Sequence, residues 1–556
     1  MSGRTSANCY IVNAEGSYTF PAVYGNAYNG SETLRTKDND NSFNPNKIFI
    51  DHAGRPITTG NIINQINYTL TSEEKTTTLG LANKSSVTSE EKTTYSLNDE
   101  AYAKEIVTEI KYLNNHLTAK IIWQDAKDAP TQFNTPVYNT STQSISFQIT
   151  ASDPGTSKTV QPGNCVIALT GKKTEYKTRY IYDSTNTLKN TPTQESTGTT
   201  AATEEILWTW HIWCTDEVYQ NFKQSEDDHV NTRYSTWNST NQNMIVEIEN
   251  NAGTKTNILP VNLGWVPDNN QWNIYTPREV WVEIAQTKPD NENFTNNQKI
   301  HLKIRQEARQ DLITGTSTIY QWGRPTALPM VLDINKTGRS IYGNSGSDIQ
   351  NDFKLQNITN FQDVILNPTT LFRTLSDGKI WFETSGNHNY WGHEGVKTIY
   401  DPCPPGFRVP QMSVFTGFSR DGQNSASGNG LNMLEDNGTA KSGDKQKGGY
   451  MYTVKYDANT FNRYNPTVYI PATGLWQADK TEGTQLNNTT EGSTLYINTS
   501  TGIYWTSNYT ENTTAPLGFW ICPQWTYNES GKYAIQFDRT TDFSAALPIR
   551  PSATTP

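Results

Sequence analysis

Histidines, cysteines and clustered acids are the residues whose spacing most often signals chemistry, and in this chain their spacing supports little of it. His388 and His393 with Glu394 come nearest to a metal-ligand set. Five residues apart in the Gly/Asn loop Asn387 to Gly395, they read as surface decoration. Asp38-Asn39-Asp40-Asn41 offers oxygens to calcium, but the glycine and terminal glutamate of an EF-hand loop are missing, and the stretch reads as a turn. Cys9, Cys165, Cys214, Cys403 and Cys522 form no CxxC pair, so neither a zinc site nor a disulfide framework is readable, and one thiol must stay unpaired in a monomer. GxSxG, Walker A, HExxH and GxGxxG motifs are all lacking. Paired carboxylates for glycoside hydrolysis need only meet in space, and spacing leaves that chemistry open. The expectation is a protein that is not an enzyme, with no catalytic residue, no metal and no cofactor.

Recognition suits these residue types better. Phe519, Trp520, Trp525 and Tyr527 supply rigid amphipathic surface, and neighbouring Asn and Thr supply adaptable hydrogen bonds. Trp520 alone also reads as a core residue of a strand, since tryptophan is highly buried on average. Asp401 to Pro410 holds four prolines and one glycine, which pre-set backbone angles and make it a rigid scaffold loop.

The elements that must position these residues follow from composition. With 556 residues the chain exceeds one ordinary core, and two or three domains are expected. Only 34% of residues are hydrophobic, yet 29 Tyr, 18 Phe and 15 Trp replace the missing aliphatics, which excludes a disordered chain. Charged residues make up 18%, so polarity comes mainly from Thr, Asn, Ser and Gln, a mixture suited to strands and turns. A net charge of −10 without a basic block argues against nucleic acid as the partner. No apolar run approaches the roughly 20 residues of a membrane span. Met1-Ser2-Gly3-Arg4 is not a signal peptide, so the targeting segment of an exported protein would lie upstream.

Along the chain, Cys9 to Val12 and the text after the turn Asn13 to Gly16 read as a first strand pair. The echo Thr71 to Thr77 and Thr88 to Thr94 reads as a hairpin-like insertion, since two copies do not make a solenoid. Asn98 to Asn114 carries Ala103, Ile106, Val107, Ile110 and Leu113 at helical spacing behind an Asn98 cap, which predicts a helix. Ala119 to Trp123, Ser144 to Ile149 and Cys165 to Leu169 predict strands of an antiparallel sandwich. Thr-rich Asp183 to Glu204 reads as a linker or exposed loop, with a domain boundary near residue 200. Ile206 to Trp213 is apolar on both faces of a strand, so both must be covered. Val280 to Ile284 and Ile300 to Ile304 predict a hairpin within 278–306. The rest is Gly- and Asn-rich loop with short aromatic strands, the kind of text that carries function.

Several blocks bear a resemblance. Ser6 to Ala14 with Tyr24 to Ala27, Leu207 to Trp213, Asn262 to Trp265, Tyr320 to Arg324, Asp401 to Pro410 with Phe415 to Phe418, Ile470 to Gly474, Gly502 to Ser507 and Leu547 to Pro551 resemble blocks of large cell-surface proteins of gut Bacteroidales, including type V pilus tip adhesins. The resemblance implies a mostly β chain: a β-sandwich stalk or attachment domain at 1–200, then an α+β C-type-lectin-like ligand-binding domain at 201–556. It implies an extracellular, surface-attached adhesin of pilus-tip type, whose partners are a host or bacterial surface protein or glycan, together with pilus subunits. Some such proteins are targets of diversity-generating retroelements that rewrite adenine-templated codons between the Tyr-Trp-Thr-Ser-like and Ile-Arg-Pro-like blocks. Here that segment is 507–547. Tyr509, Thr510, Asn512, Phe519, Cys522, Tyr527 and Asn528 are types a mutated Asn codon can encode, whereas Trp520, Gln524 and Trp525 are not. The candidate ligand-binding residues are therefore Tyr509, Thr510, Asn512, Phe519, Trp520, Gln524, Trp525, Tyr527 and Asn528. Cys522 stands without the nearby second cysteine of the formylglycine-generating enzymes that share the fold. The Glu-Pro-Asn and Trp-Asn-Asp blocks of calcium-dependent lectins are missing too. Alternative readings are a phage receptor-binding tail protein, or a secreted glycan-binding or glycan-active protein.

Overall fold

The computed structural model describes residues 6–26, 50–52, 63, 70–72, 78–82, 102–112, 116–125, 132–150, 160–183, 187, 194–200, 204–215, 236–238, 243–249, 253–259, 261–267, 274–275, 278–285, 299–306, 309–310, 315–330, 341–344, 346–347, 349, 352–360, 362–373, 390–392, 397–418, 425–426, 449–453, 467–471, 475–476, 495–496, 502–510, 515–521, 535–540 and 544–554. These residues are mostly β, arranged in several sheets. Helical pieces are short: an α-turn at Asp363–Leu366 and a 3-10 stretch at Met412–Phe418.

A four-stranded sheet in the order Cys9–Val12, Glu205–Cys214, Gly163–Gly171, Thr118–Gln124 lies at the heart of the core, its first pair parallel and the others antiparallel. Leu207 to Cys214 and all of Gly163–Gly171 are buried, so this sheet is covered on both sides, as its uniformly apolar text requires. One side faces a three-stranded sheet of Gly16–Pro21, Ser144–Ile149 and Val137–Asn139. There Phe20 packs among Tyr10, Trp210 and Phe147, with ring centroids 5.1, 5.2 and 6.1 Å away. Residues of opposite parity meet the later part of the chain. Trp213 Nε1 donates to the Trp265 carbonyl at 3.1 Å, Trp123 Nε1 donates to the Ala327 carbonyl at 3.0 Å, and the Thr209 and Thr326 hydroxyls lie 3.0 Å apart. The boundary expected near residue 200 falls just before Glu205–Cys214, the strand held between Cys9–Val12 and Gly163–Gly171. One apolar cluster runs from Cys9 to Ile549.

Three expectations change. Asn98 to Asn114 is not a helix: Tyr102–Tyr112 is a strand in unbroken antiparallel register with Lys173–Asp183. Tyr102, Ile106, Thr108, Ile110 and Tyr112 alternate with Glu105, Val107, Glu109 and Lys111, so a period of two competes with the helical spacing, and β-branched and aromatic side chains favour the strand. Within the supposed linker, Gln194–Thr200 is a strand on the far edge of the same sheet. Cys9–Val12 and Gly16–Pro21 are strands but not a pair: the first joins Glu205–Cys214 and the second Ser144–Ile149. The first copy of the echo lends Thr71 and Ser72 to a short strand beside Thr108 and Glu109, while the second copy lies outside the described residues. The hairpin at 278–306 forms as expected, Arg278–Ala285 against Lys299–Gln306.

Candidate functional site

The strand Gly502–Thr510 opens the candidate segment, and its first half is framework. Tyr504 to Ser507 are buried. Trp505 is held three ways: its amide donates to the Pro548 carbonyl at 3.0 Å, its indole donates to the Tyr320 carbonyl at 2.6 Å, and its ring meets Trp391 edge-on at 6.2 Å. Trp322 Nε1 donates to the Thr506 carbonyl at 3.2 Å, and the Ser507 amide donates to the Pro410 carbonyl at 2.8 Å. Further along, the strand is only partly buried. Asn508 accepts from the Met412 amide at 2.7 Å, and Tyr509 is half-buried, edge-on to Trp322 at 6.1 Å. Tyr509, a candidate ligand-binding residue, is thus only partly open to solvent.

Register then collects part of the candidate set. Thr510 pairs with Ala515, Phe519 with Tyr504 and Trp520 with Ile503, within a four-stranded sheet completed by Ile535–Thr540 and Ser425–Ala426. Asn512, Gln524, Trp525, Tyr527 and Asn528 lie outside the described residues, as do Cys522, the Asp38 to Asn41 turn and His388, His393 and Glu394.

The proline-rich loop is a scaffold in atomic detail. Asp401, fully buried, accepts from the Cys403 amide at 2.8 Å and the Val409 amide at 2.9 Å, tying the loop to itself. Burial pushes its carboxyl above the ordinary range, opposed by the Lys397 ammonium and those two N–H groups. Lys397 Nζ donates to the Cys403 and Pro404 carbonyls at 2.6 and 2.9 Å. Asn8 Nδ2 donates to the carbonyls of Ile399 at 2.6 Å and Asp401 at 2.8 Å, while its Oδ1 accepts from Trp208 Nε1 at 2.9 Å. One asparagine therefore bolts the loop to the central sheet.

A second buried network sits on the other side of that sheet. Asn164 Nδ2 donates to Asp125 at 3.3 Å and to the Gly264 carbonyl at 3.0 Å, so its Oδ1 faces His211 Nε2 at 2.9 Å and requires the proton there. The Tyr320 hydroxyl then donates to His211 Nδ1 at 2.9 Å. Burial holds His211 down to about 3, keeping it neutral. Gly264 sits at φ +69°, and a Cβ there would run into the Thr318 side chain, so the turn that meets this network admits only glycine without strain. Arg324 is buried with no carboxylate partner among the described residues: its guanidinium donates to Gln321 Oε1 at 3.0 Å and to the carbonyls of Thr370 at 2.7 Å and Val364 at 2.9 Å, and burial draws its pKa down to about 9. Sequence inspection passes over His211 and Arg324, since a single histidine or arginine in aromatic text carries no spacing signal.

Chemically these networks are closed inside the fold and organise backbone. Cys9, Cys165, Cys214 and Cys403 are buried free thiols that burial pushes up, away from the reactive thiolate. Among the described residues no three His, Cys, Asp or Glu side chains gather to hold a metal ion, and no helix is long and apolar enough to cross a membrane. No protein-family model, curated protein or solved structure matches this chain.

Proposed function

We propose that this chain is an extracellular, surface-attached adhesin of pilus-tip type that binds a host or bacterial surface protein or glycan through residues 507–547, carried on a C-type-lectin-like domain. The observation that carries the reading is the strand Gly502–Thr510. Its base is clamped by Trp505, Pro410 and Pro548, and its far end emerges at half-buried Tyr509. A clamped base with an emerging end is what a recognition segment needs: the framework tolerates changed side chains beyond it, and ordering on binding costs less. The aromatic and Asn/Thr-rich text that follows supplies anchors and adaptable polar contacts.

The test is the double substitution Trp525→Ala with Tyr527→Ala, read by flow cytometry on epithelial and bacterial cells and on a glycan array. Wild-type chain binds one of these surfaces, and the variant loses at least about tenfold in affinity with an unchanged thermal midpoint. Binding that survives both substitutions overturns the site.

A further inference from the structure

The hairpin Arg278–Ala285 and Lys299–Gln306 has an unusual distribution of side chains. Directly opposed residues on an antiparallel pair share a face, and the register sets Val280 opposite Ile304, Val282 opposite Leu302 and Ile284 opposite Ile300. One face is therefore six aliphatic side chains in three rows. It is not core: Val280, Ile284, Ile300, Leu302 and Ile304 are 45% to 61% exposed. The other face carries the polar chemistry, already engaged within the hairpin, with His301 Nε2 3.4 Å from Glu283 and the Lys303 ammonium 5.6 Å over the Trp281 ring. Among the described strands neither arm pairs with a third. A lone two-stranded hairpin is marginal in water, and six aliphatics turned outward make it more so.

We infer that this aliphatic face packs against the same face of a second copy of the chain. The five exposed aliphatics leave about 500 Å² of apolar surface per chain, and a two-fold pair buries about 1,000 Å², the lower bound for a specific interface. The face is self-complementary: its three rows are uniform, Arg278 shares their side only beyond them at the end of the arm, opposite Gln306, and a two-fold axis near Val282 and Leu302 brings aliphatic onto aliphatic at ordinary sheet-packing distance. An anionic lipid surface would call for basic residues beside the apolar rows. Here the register puts a single basic residue, Arg278, on that side, whereas Glu279, Glu283, Lys299, Lys303 and Arg305 share the opposite face.

Sedimentation velocity on the full chain, across about a hundredfold range of concentration, reads the association. A reversible dimer is expected. Ile300→Thr, Leu302→Thr and Ile304→Thr together keep β-propensity, remove apolar surface, and weaken the dimer by about a hundredfold or more, whereas Trp281→Thr on the opposite face leaves it intact. Should the triple variant fail to fold, as judged by circular dichroism, a single Leu302→Cys replaces it. Mild oxidation then gives a covalent dimer that wild type and Trp281→Cys do not. Monomer at every concentration overturns the inference, as does a dimer indifferent to the triple substitution, one lost with Trp281→Thr, or an unlinked Leu302→Cys chain. Monomeric chain that floats with phosphatidylcholine vesicles would make lipid the occupant and overturn it as well.

Discussion

Burial draws the His211 imidazole down to about 3, whereas in the unfolded chain it titrates near 6.5. Between those values the unfolded state holds the extra proton, so this contribution to stability is complete above about pH 6.5 and is lost as pH falls toward 3. The slope approaches about 1.4 kcal/mol per pH unit, or about 2 kcal/mol lost at pH 5. His211→Gln can still hydrogen-bond but cannot titrate. Urea midpoints at pH 7 and pH 5 should show a smaller acid-induced drop for this variant than for wild type, and an equal drop would place the sensitive group elsewhere. The contrast with Arg324 is instructive, because even at about 9 its guanidinium stays charged at neutral pH and its carbonyl partners remain engaged. Neither residue advertised itself in the sequence, since burial and partners tens to hundreds of positions away decide their behaviour.

At the scale of elements, Trp505 holds the strand Gly502–Thr510 to the core through a ring contact and two hydrogen bonds. Trp505→Phe leaves the Tyr320 carbonyl without its indole donor and opens a gap, so a loss of about 2 to 3 kcal/mol is expected, read as a lower urea midpoint at unchanged m-value. Ser144–Ile149 was legible because Ile145, Phe147 and Ile149 alternate with polar residues, and the strand at Gly163–Gly171 because Cys165 to Leu169 is a short apolar run between turn residues. Tyr102–Tyr112 was not, because Ala103, Ile106, Val107 and Ile110 satisfy the helical template while Ile106, Thr108 and Ile110 also alternate with Glu105, Val107, Glu109 and Lys111. The proline-rich loop was readable as scaffold from Pro402, Pro404, Pro405 and Pro410 alone, but its anchor Asn8 lies more than 390 residues earlier, and no local pattern encodes that distance. Likewise the hairpin at 278–306 was readable as a hairpin, yet alternating Val, Ile and Leu ordinarily mark a covered face, and only the fold leaves them in solvent.

For the molecule as a whole, the early and late parts of the chain share one apolar cluster. Trp213 against Trp265, Trp123 against Ala327 and Asn8 against Asp401 join the central sheet to segments beyond residue 260. Removing those segments would strip one side of a sheet buried on both and take the Asp401 anchor from the other. Residues 1–200 expressed alone are therefore expected to lack a cooperative thermal transition, while the full chain melts its tryptophan-rich core in one; a sharp transition in the fragment would show that the early sheets stand by themselves.

The late strand Ser552–Ala553 pairs with Ile258 and with Phe407 and Arg408, and the Thr554 amide reaches the Gly406 carbonyl. These keystone residues come later in the chain than both of the strands they join, so the arch cannot close until they have been made. Until then a growing chain stays unlatched at this point, with Ile258 and Phe407 lacking the strand that bridges them.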